Sequence, residues 1–292
     1  MTRALFRVRL PGGGIRLARG DTIEGPESLL DPGLSLDELL ARGDGLEPAF
    51  QSNGDGAPAD VRLLAPVGGQ EVWAAGVTYE RSRVARIEES VSADPYDLVY
   101  EADRPELFLK APGWRVRGPG EPIGIRADSE WNVPEPELAL VVDARLRVAG
   151  YTVGNDVSSR SIEGRNTLYL PQAKVYDGAC SLGPCIVPAS DADPPFEIEI
   201  EVEREGKRIF DGHTSTAEMR RSFDELVAFL GAALTLPVGA ILLTGTGVVP
   251  EADVTLRPDD VVRIRIDGLG TLENRVEVVG RRVGAEPQEA RA

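Results

Sequence analysis

A run of five apolar residues near the middle of the chain, Leu138 to Val142, constrains the fold most strongly. Side chains alternate between the two faces of a β-strand, so an uninterrupted apolar run is typical of a strand that is covered on both faces. Such a strand must lie inside the molecule, with other layers packed against it. The rest of the chain is therefore expected to be arranged around this strand.

Most of the remaining pattern also predicts strands. Residues 196–204 alternate between apolar and acidic side chains, and the turn Glu205-Gly206 leads into a second strand that ends at Phe210. Residues 261–266 and 276–279 give a second predicted hairpin. The 32 glycines and 22 prolines of the chain suit the many turns that short strands need.

Few helices are expected, and three places predict one. Capping-box sequences, in which a glutamate follows a serine by three residues, begin at Ser35 and Ser222. The segment from Tyr79 to Ser90 predicts a third, charged helix. We therefore expect the α+β class, with strands predominating.

The length of 292 residues suits one large domain and a smaller one. The polar segment 51–60 is the best candidate for a linker. We expect a small N-terminal α/β domain over residues 1–62, a catalytic domain over residues 63–283, and a flexible tail over residues 284–292.

The net charge and the cysteine content limit the classes of partner. A formal charge of −16 disfavours nucleic acid and anionic membrane surfaces, because both require a basic surface on the protein. The N-terminus lacks the apolar core of a signal peptide, and the two cysteines show no zinc-type spacing. We expect a reduced, cytoplasmic protein whose partner is a small molecule, and an anionic substrate would need a local cation.

Three acidic residues are candidates for supplying that cation by holding a metal. Glu135 and Glu137 share one face at the start of the apolar strand, and two carboxylates this close repel each other. Asp156 follows the next strand, and pairing of the two strands as a hairpin would bring it back to the glutamates. An oxygen-only site favours Mg²⁺, with Mn²⁺ or Ca²⁺ as substitutes. A solvated strand face and an ordinary Gly-Asn-Asp turn are the alternatives.

Two short segments carry further candidates. Lys174 follows an apolar stretch and precedes a glycine-rich turn, which indicates the wall of a cleft. Residues 105–110, Pro-Glu-Leu-Phe-Leu-Lys, form a short apolar strand with Glu106 and Lys110. Without other information, an edge strand with exposed charges is the better interpretation.

In their order along the chain, these motifs resemble the fumarylacetoacetate hydrolase superfamily over residues 70–280. The resemblance rests on the 105–110 strand, Glu135-x-Glu137, the segment 150–160 with Asp156 and Arg160, Lys174 with its turn, and Leu243-Thr-Gly-Thr-Gly247. It implies a rolled, barrel-like mixed β-sheet in a homodimer or a dimer of dimers. It also implies Mg²⁺ on the three acidic residues. The site residues that we expect from it are Lys174 and Glu106 as catalytic residues, and Lys110, Ser158, Arg160 and Thr246 as substrate-binding residues.

Within that superfamily, segments such as 78–83 and 168–174 resemble the 2-keto-3-deoxy-pentonate dehydratase branch. These enzymes are hydro-lyases of pentose breakdown. They convert an acid derived from xylonate or arabinonate into 2,5-dioxopentanoate through an enolate that the metal stabilises. In this mechanism Lys174, whose ammonium form a nearby divalent ion destabilises, is the candidate base and Glu106 the candidate acid. The two roles can be exchanged, and the configuration of the substrate at C4 is open.

Two other functions stay open at this point. A hydrolase of a β-diketo acid would keep the fold and the metal, but hydrolases of the superfamily carry a histidine in the segment that here runs from Glu80 to Arg86 without one. The single histidine, His213, lies far along the chain and is expected to be structural or exposed. A non-enzymatic, acidic β-rich binding protein is the second alternative.

Overall fold

The computed structural model describes residues 2–51, 54–89 and 94–281. The strands in these residues are β1 (Arg3–Arg9), β2 (Ile15–Asp21), β3 (Gly25–Leu29), β4 (Asp55–Gly56), β5 (Arg62–Leu64), β6 (Glu71–Gly76), β7 (Glu106–Pro112), β8 (Ile123–Arg126), β9 (Asn132–Val133), β10 (Pro136–Val142), β11 (Val148–Asp156), β12 (Ser158–Ser159), β13 (Cys180–Pro188), β14 (Glu197–Arg204), β15 (Lys207–Ser215), β16 (Ala240–Leu243), β17 (Val261–Ile266) and β18 (Gly270–Val279). The α-helices are α1 (Leu36–Arg42), α2 (Glu47–Gln51), α3 (Glu80–Glu89), α4 (Asp94–Glu101), α5 (Arg160–Glu163), α6 (Leu170–Lys174) and α7 (Phe223–Gly231). None of the helices in these residues has the length and hydrophobicity that a membrane crossing requires.

The strands form one large and one small mixed sheet, together with a two-stranded pair. The large sheet has the order β4-β3-β2-β1-β13-β11-β10-β16-β6-β7, with β5 paired to β1. The five-stranded sheet has the order β15-β14-β17-β18-β8, and β12 pairs with β9. The pairs β16–β6 and β18–β8 are parallel, and the other pairs are antiparallel. The strand-rich α+β class expected from the sequence is confirmed.

The apolar run lies in β10, which is central in the large sheet between β11 and β16, and every residue of the strand is buried. Leu138, Leu140 and Val142 belong to a core cluster that also contains inward side chains of β14 and β17 from the small sheet. Ala139 and Val141 belong to a second cluster on the opposite face, which includes Leu39 and Leu40 of α1. The strand is therefore covered on both faces, as its sequence predicts.

The predicted hairpins and helix starts are also present. The hairpin β14–β15 turns at Glu205-Gly206, and β17 pairs with β18. Ser35 and Glu38 form a capping box at the start of α1. The Ser222 hydroxyl accepts the bond of the Glu225 backbone N–H at the start of α7. The third predicted helix appears as α3, and Ser90 at its expected end lies outside the described residues.

The N-terminal segment joins the large sheet through β1, which pairs with β2, β5 and β13. Because β5 begins at Arg62 and pairs with β1, hydrogen bonds cross the predicted boundary at residue 62. The division into domains at this residue stays a prediction. The predicted tail, residues 284–292, lies outside the described residues.

Candidate active site

The pairing of β10 with β11 brings the three acidic residues together. Glu137 lies opposite Gly154, and the backbone N–H of Asp156 donates to the Glu135 carbonyl oxygen over 3.0 Å. Oxygen atoms of the three carboxylates lie within 4.8 Å of one another, and all three residues are buried. The hairpin that the sequence predicts is thus the element that builds this acidic cluster.

The acidic cluster has the donor set and the charge that suit a hard divalent cation. Burial, reinforced by the negative charges of Asp156 and Glu135, raises the pKa of the Glu137 carboxyl well above its ordinary value. The backbone N–H of Gly245 donates to Glu137 Oε2 over 2.6 Å, and Gly245 adopts φ +92°, a conformation that favours glycine. Three carboxylates held this close in a buried site fit an ion such as Mg²⁺, which prefers oxygen ligands.

Lys174 is buried at the end of α6, and its ammonium contacts two of the three carboxylates. Its Nζ lies 3.0 and 2.9 Å from the two carboxylate oxygens of Glu135 and 3.0 Å from Asp156 Oδ2. It also donates to the Ser158 hydroxyl oxygen over 2.6 Å, and the same hydroxyl donates to the Asp156 carbonyl oxygen. Lys174 thus partly neutralises the acidic cluster from inside the protein.

Arg160 and Glu163 extend the charged network along α5. Arg160 Nη2 lies 3.3 Å from Glu135 Oε1, and Arg160 Nη1 lies 3.9 Å from Glu163 Oε2. Both side chains are buried. Arg160 was expected from the sequence, whereas Glu163 was missed.

Lys110 reaches the acidic cluster from the edge strand β7. Its ammonium forms an ion pair with Asp156 Oδ1 and donates to the carbonyl oxygens of Val157 and Lys174 over 3.0 and 2.6 Å. The side chain has no exposed surface. Lys110 and Lys174 therefore hold the two oxygens of one carboxylate.

A narrow cavity of about 20 Å³, the size of one water molecule, opens on this network. A Cβ on Gly76 would lie only 2.0 Å from Glu106 Oε2, so only glycine leaves room for that carboxylate at its present position. Val77, which follows β6, has φ +52°, and strain of this kind in a β-branched residue is typical of a functional site. The residues lining the cavity are Ala75, Gly76, Val77, Ser82, Glu106, Phe108, Glu135, Asp156, Glu163, Leu170, Lys174, Gly245 and Thr246.

The remaining candidates divide between the cavity and the surface. Thr246 lines the cavity, and its hydroxyl accepts the bond of the Val248 backbone N–H over 3.1 Å. His213 lies on β15, where its Nε2 is 2.7 Å from Glu197 Oε2 and 56% of its side chain is exposed. It borders a wider groove of about 580 Å³ on the small sheet, which contains none of the acidic cluster. The expectation of an exposed His213 agrees with this position.

The amino-acid composition contains a signal that could have identified Lys110 and Lys174 more firmly as site residues. The chain has only three lysines, Lys110, Lys174 and Lys207, and the rest of its 32 basic residues are arginine. Two of the three contact Asp156 in a buried site. Ser82 and Glu163 were not predicted, because a serine or a glutamate in a charged helical segment is not rare in this chain as a lysine is.

Comparison with known proteins finds two relatives named as dehydratases, and hydrolases and tautomerases at lower identity. A probable 2-keto-3-deoxyxylonate dehydratase of Haloferax volcanii is 54% identical over 227 residues, which cover 77% of this chain and 78% of that protein. A 2-dehydro-3-deoxy-D-arabinonate dehydratase of Saccharolobus solfataricus is 43% identical over 219 residues, covering 73% and 74% of the two chains. A solved structure of 2-keto-3-deoxy-D-arabinonate dehydratase complexed with magnesium and 2,5-dioxopentanoate superposes with a TM-score of 0.82 at 34% identity, covering 96% of this chain and all of that one.

The family model for the C-terminal region of fumarylacetoacetate hydrolase matches residues 71–277, which contain the acidic cluster, both buried lysines and every residue that lines the cavity. The match covers well over half of the chain. With the shared fold, it shows that the chain belongs to the fumarylacetoacetate hydrolase family.

Proposed function

We propose that this chain is a Mg²⁺-dependent hydro-lyase that converts a 2-keto-3-deoxy-pentonate into 2,5-dioxopentanoate and water. The relatives named as dehydratases and the fold shared with a magnesium- and product-bound dehydratase support this proposal. The single observation that carries it is the contact of the buried Lys174 ammonium with the carboxylates of Glu135 and Asp156. This contact supports an acid–base role for Lys174 beside a site that suits a metal.

Glu135, Glu137 and Asp156 would hold the Mg²⁺, and Mn²⁺ or Ca²⁺ could replace it in the same oxygen-only set. When bound, a divalent cation supplies Lewis-acid polarisation of the 2-keto group. With a metal charge of +2 against three carboxylates, an anionic substrate still needs protein cations nearby. The buried guanidinium of Arg160 and the buried ammonium of Lys110 supply that charge.

In this proposal Lys174 removes a proton from C3 of the substrate. Glu106, on the wall of the same cavity, protonates the C4 hydroxyl so that it leaves as water and a C3–C4 double bond forms. The resulting 5-hydroxy enone then tautomerises, and the two hydrogens that C5 and its hydroxyl lose are regained at C3 and C4 to give the aldehyde. The atoms balance as one acid giving one aldehyde acid and one water. The opposite assignment of base and acid uses the same two residues.

Substrate contacts are assigned to groups that reach the cavity. Thr246 borders the cavity and is the candidate to bind the substrate carboxylate. Arg160 contacts Glu135 and adds positive charge beside the site. The Ser158 hydroxyl accepts a hydrogen bond from the Lys174 ammonium, so Ser158 acts on the substrate indirectly, through Lys174. A five-carbon acid needs more room than about 20 Å³, so side chains that line the cavity must move when the substrate binds.

Dehydration is favoured over hydrolysis of a β-diketo acid by the position of the single histidine. His213 lies at the exposed edge of the small sheet and does not line the cavity. The cavity therefore offers lysine, carboxylate and hydroxyl groups for proton transfer. A homodimer or a dimer of dimers and a cytoplasmic location stay predictions.

The test is an assay of the purified protein with Mg²⁺ and each C4 enantiomer of 2-keto-3-deoxy-pentonate. C4 is the one stereocentre left in this acid, so the D-xylonate and D-arabinonate series give the same compound. We expect 2,5-dioxopentanoate to form from one enantiomer, with loss of activity on chelation. The proposal fails if neither enantiomer is dehydrated while an acylpyruvate is cleaved.

A further inference from the structure

Lys110 lies at an irregularity of the edge strand β7. Trp73 of β6 lies opposite Leu109 and Val72 lies opposite Ala111, so Lys110 is the extra residue of a β-bulge. Bulges redirect side chains and are common beside active sites. Here the bulge residue is a lysine whose side chain is fully enclosed by the protein, with an exposure of 0%.

Three protein oxygens in the described part of the chain lie in contact with this ammonium. An ammonium group carries three N–H bonds. Three oxygens surround it: Asp156 Oδ1 in an ion pair, the Val157 carbonyl oxygen at 3.0 Å and the Lys174 carbonyl oxygen at 2.6 Å. Binding of substrate by Lys110 would therefore require one of these contacts to be lost.

The contacts close into a ring of three residues. Lys110 binds Asp156 Oδ1, Asp156 Oδ2 lies 3.0 Å from the Lys174 ammonium, and the Lys174 carbonyl oxygen accepts the bond of Lys110. A shift of any member changes its contacts with the other two. The ring thus couples one carboxylate of the acidic cluster to both ends of the residue proposed as the base.

We propose that Lys110 is a positioning residue, which fixes Asp156 against the backbone of Lys174, in place of the substrate contact expected from the sequence. The roles given to Asp156 and Lys174 rest on the proposed function. The ring itself consists of contacts within the protein, so its existence can be tested without any substrate.

The choice of lysine supports this role. The chain otherwise uses arginine for nearly all of its basic residues, and Lys207 is the only other lysine outside the site. A compact ammonium can direct three bonds towards three oxygens around a point, whereas a guanidinium is larger and planar. We therefore expect that Lys110→Arg will not restore the function of Lys110, although it keeps the charge.

The first measurement observes the three lysine ammonium groups directly. Protein labelled with nitrogen-15 in lysine gives at most three side-chain ammonium signals, which Lys110→Arg and Lys207→Met assign by deletion. We expect the Lys110 signal in the ligand-free protein to exchange slowly with water, and the signal in the Mg²⁺-loaded protein to keep its shift when 2,5-dioxopentanoate is added. The exposed Lys207 is the internal reference for fast exchange. Fast exchange of Lys110 in the ligand-free protein, or protection only after the ligand is added, overturns the proposal.

The second measurement separates positioning from substrate binding in the kinetics. Lys110→Met and Lys110→Arg should each lower kcat by about 10- to 100-fold, as loss of a group that orients a metal ligand does, with KM within about threefold of wild type. Lys207→Met is the matched control and should leave both constants unchanged. A rise in KM with kcat preserved in Lys110→Met, or full activity of Lys110→Arg, contradicts the proposal. If the wild-type protein dehydrates neither enantiomer, the proposed function fails, whereas the exchange measurement still decides the ring.

Discussion

Lys174 has two roles in this site, because it is the proposed base and also a cation among carboxylates. Its ammonium lies within 3.0 Å of oxygens in both Glu135 and Asp156, which are two of the three proposed metal ligands. A divalent ion bound to these oxygens must therefore share them with a positive charge. The affinity of the site for metal is set by this competition as well as by the number of carboxylates.

Replacing Lys174 should consequently separate metal binding from catalysis. We expect Lys174→Met to abolish turnover and yet to tighten Mg²⁺ binding by about tenfold, because one repelling charge is removed from a partly desolvated site. Titration calorimetry of the substrate-free protein measures the affinity, and Lys207→Met controls for loss of a distant lysine charge. Weaker Mg²⁺ binding in Lys174→Met would show that the ammonium organises the carboxylates more than it repels the ion.

Glu137 gives the site a dependence on pH. Burial and the neighbouring charges of Asp156 and Glu135 raise the pKa of its carboxyl above the ordinary 4.5. The proton that it retains stabilises the metal-free folded chain fully below pH 4.5, and this contribution is lost as the pH rises through the folded-state pKa. Mg²⁺ requires the ionised carboxylate, so binding in the window above pH 4.5 should release a proton.

Calorimetry in two buffers that differ in ionisation enthalpy measures this proton. We expect release of protons on Mg²⁺ binding in that window and an apparent affinity that rises with pH. Glu137→Gln, which keeps the shape without the titration, should bind Mg²⁺ weakly and release fewer protons than the wild type. Equal heats in the two buffers throughout the window would refute the raised pKa.

At the scale of elements, local patterns predicted hairpins between sequential strands. The alternation in residues 196–204 and the Glu205-Gly206 turn gave the hairpin β14–β15, and the apolar run gave β10. Pairing of sequential strands also placed Asp156 beside Glu135 and Glu137. In each case the two strands that pair are adjacent along the chain.

The strand pairings that the sequence could not predict are those between strands far apart in the chain. β1 joins β13 across most of the chain, and β16 pairs in parallel with the distant β6. No periodicity within either partner specifies such a pairing. For the same reason the contacts of Arg160 with Glu135 and of Lys110 with the Lys174 carbonyl were out of reach, since they depend on how separate elements converge.

The β14–β15 turn offers a test of backbone strain in one element. Glu205 and Gly206 form a two-residue loop and have φ values of 51° and 75°, which is the signature of a type I′ turn. A left-handed conformation costs an ordinary L-residue about 1–2 kcal/mol, and asparagine tolerates it best. We expect Glu205→Asn to raise the free energy of unfolding by about 1 kcal/mol, measured by urea denaturation, with unchanged kcat.

Glu205→Gln is the matched control for that substitution. It removes the same charge and leaves the unfavourable φ in place, so its stability should stay close to that of the wild type. If Glu205→Gln stabilises the protein as much as Glu205→Asn, the gain comes from reducing the negative charge of the chain and not from the turn.

At the scale of the whole molecule, excess negative charge and a specific cation site both make stability depend on ions. The formal charge of −16 repels itself, and this repulsion is screened by any salt. A cation that binds the acidic cluster stabilises the folded chain in a different way, because its effect depends on occupancy and saturates. The two contributions can be separated by comparing salts at equal ionic strength.

We therefore expect Mg²⁺ to raise Tm beyond the effect of KCl at matched ionic strength. At about 100 times Kd the specific part amounts to about 2.7 kcal/mol, which corresponds to roughly 5 °C for a chain of this size. Glu137→Gln should lose most of the stabilisation that comes from specific Mg²⁺ binding. It should keep the response to KCl, because the substitution changes the net charge of the protein by only one. Equal melting curves in MgCl₂ and matched KCl for the wild-type protein would mean that Mg²⁺ acts only by screening, and that Glu135, Glu137 and Asp156 do not form a metal site.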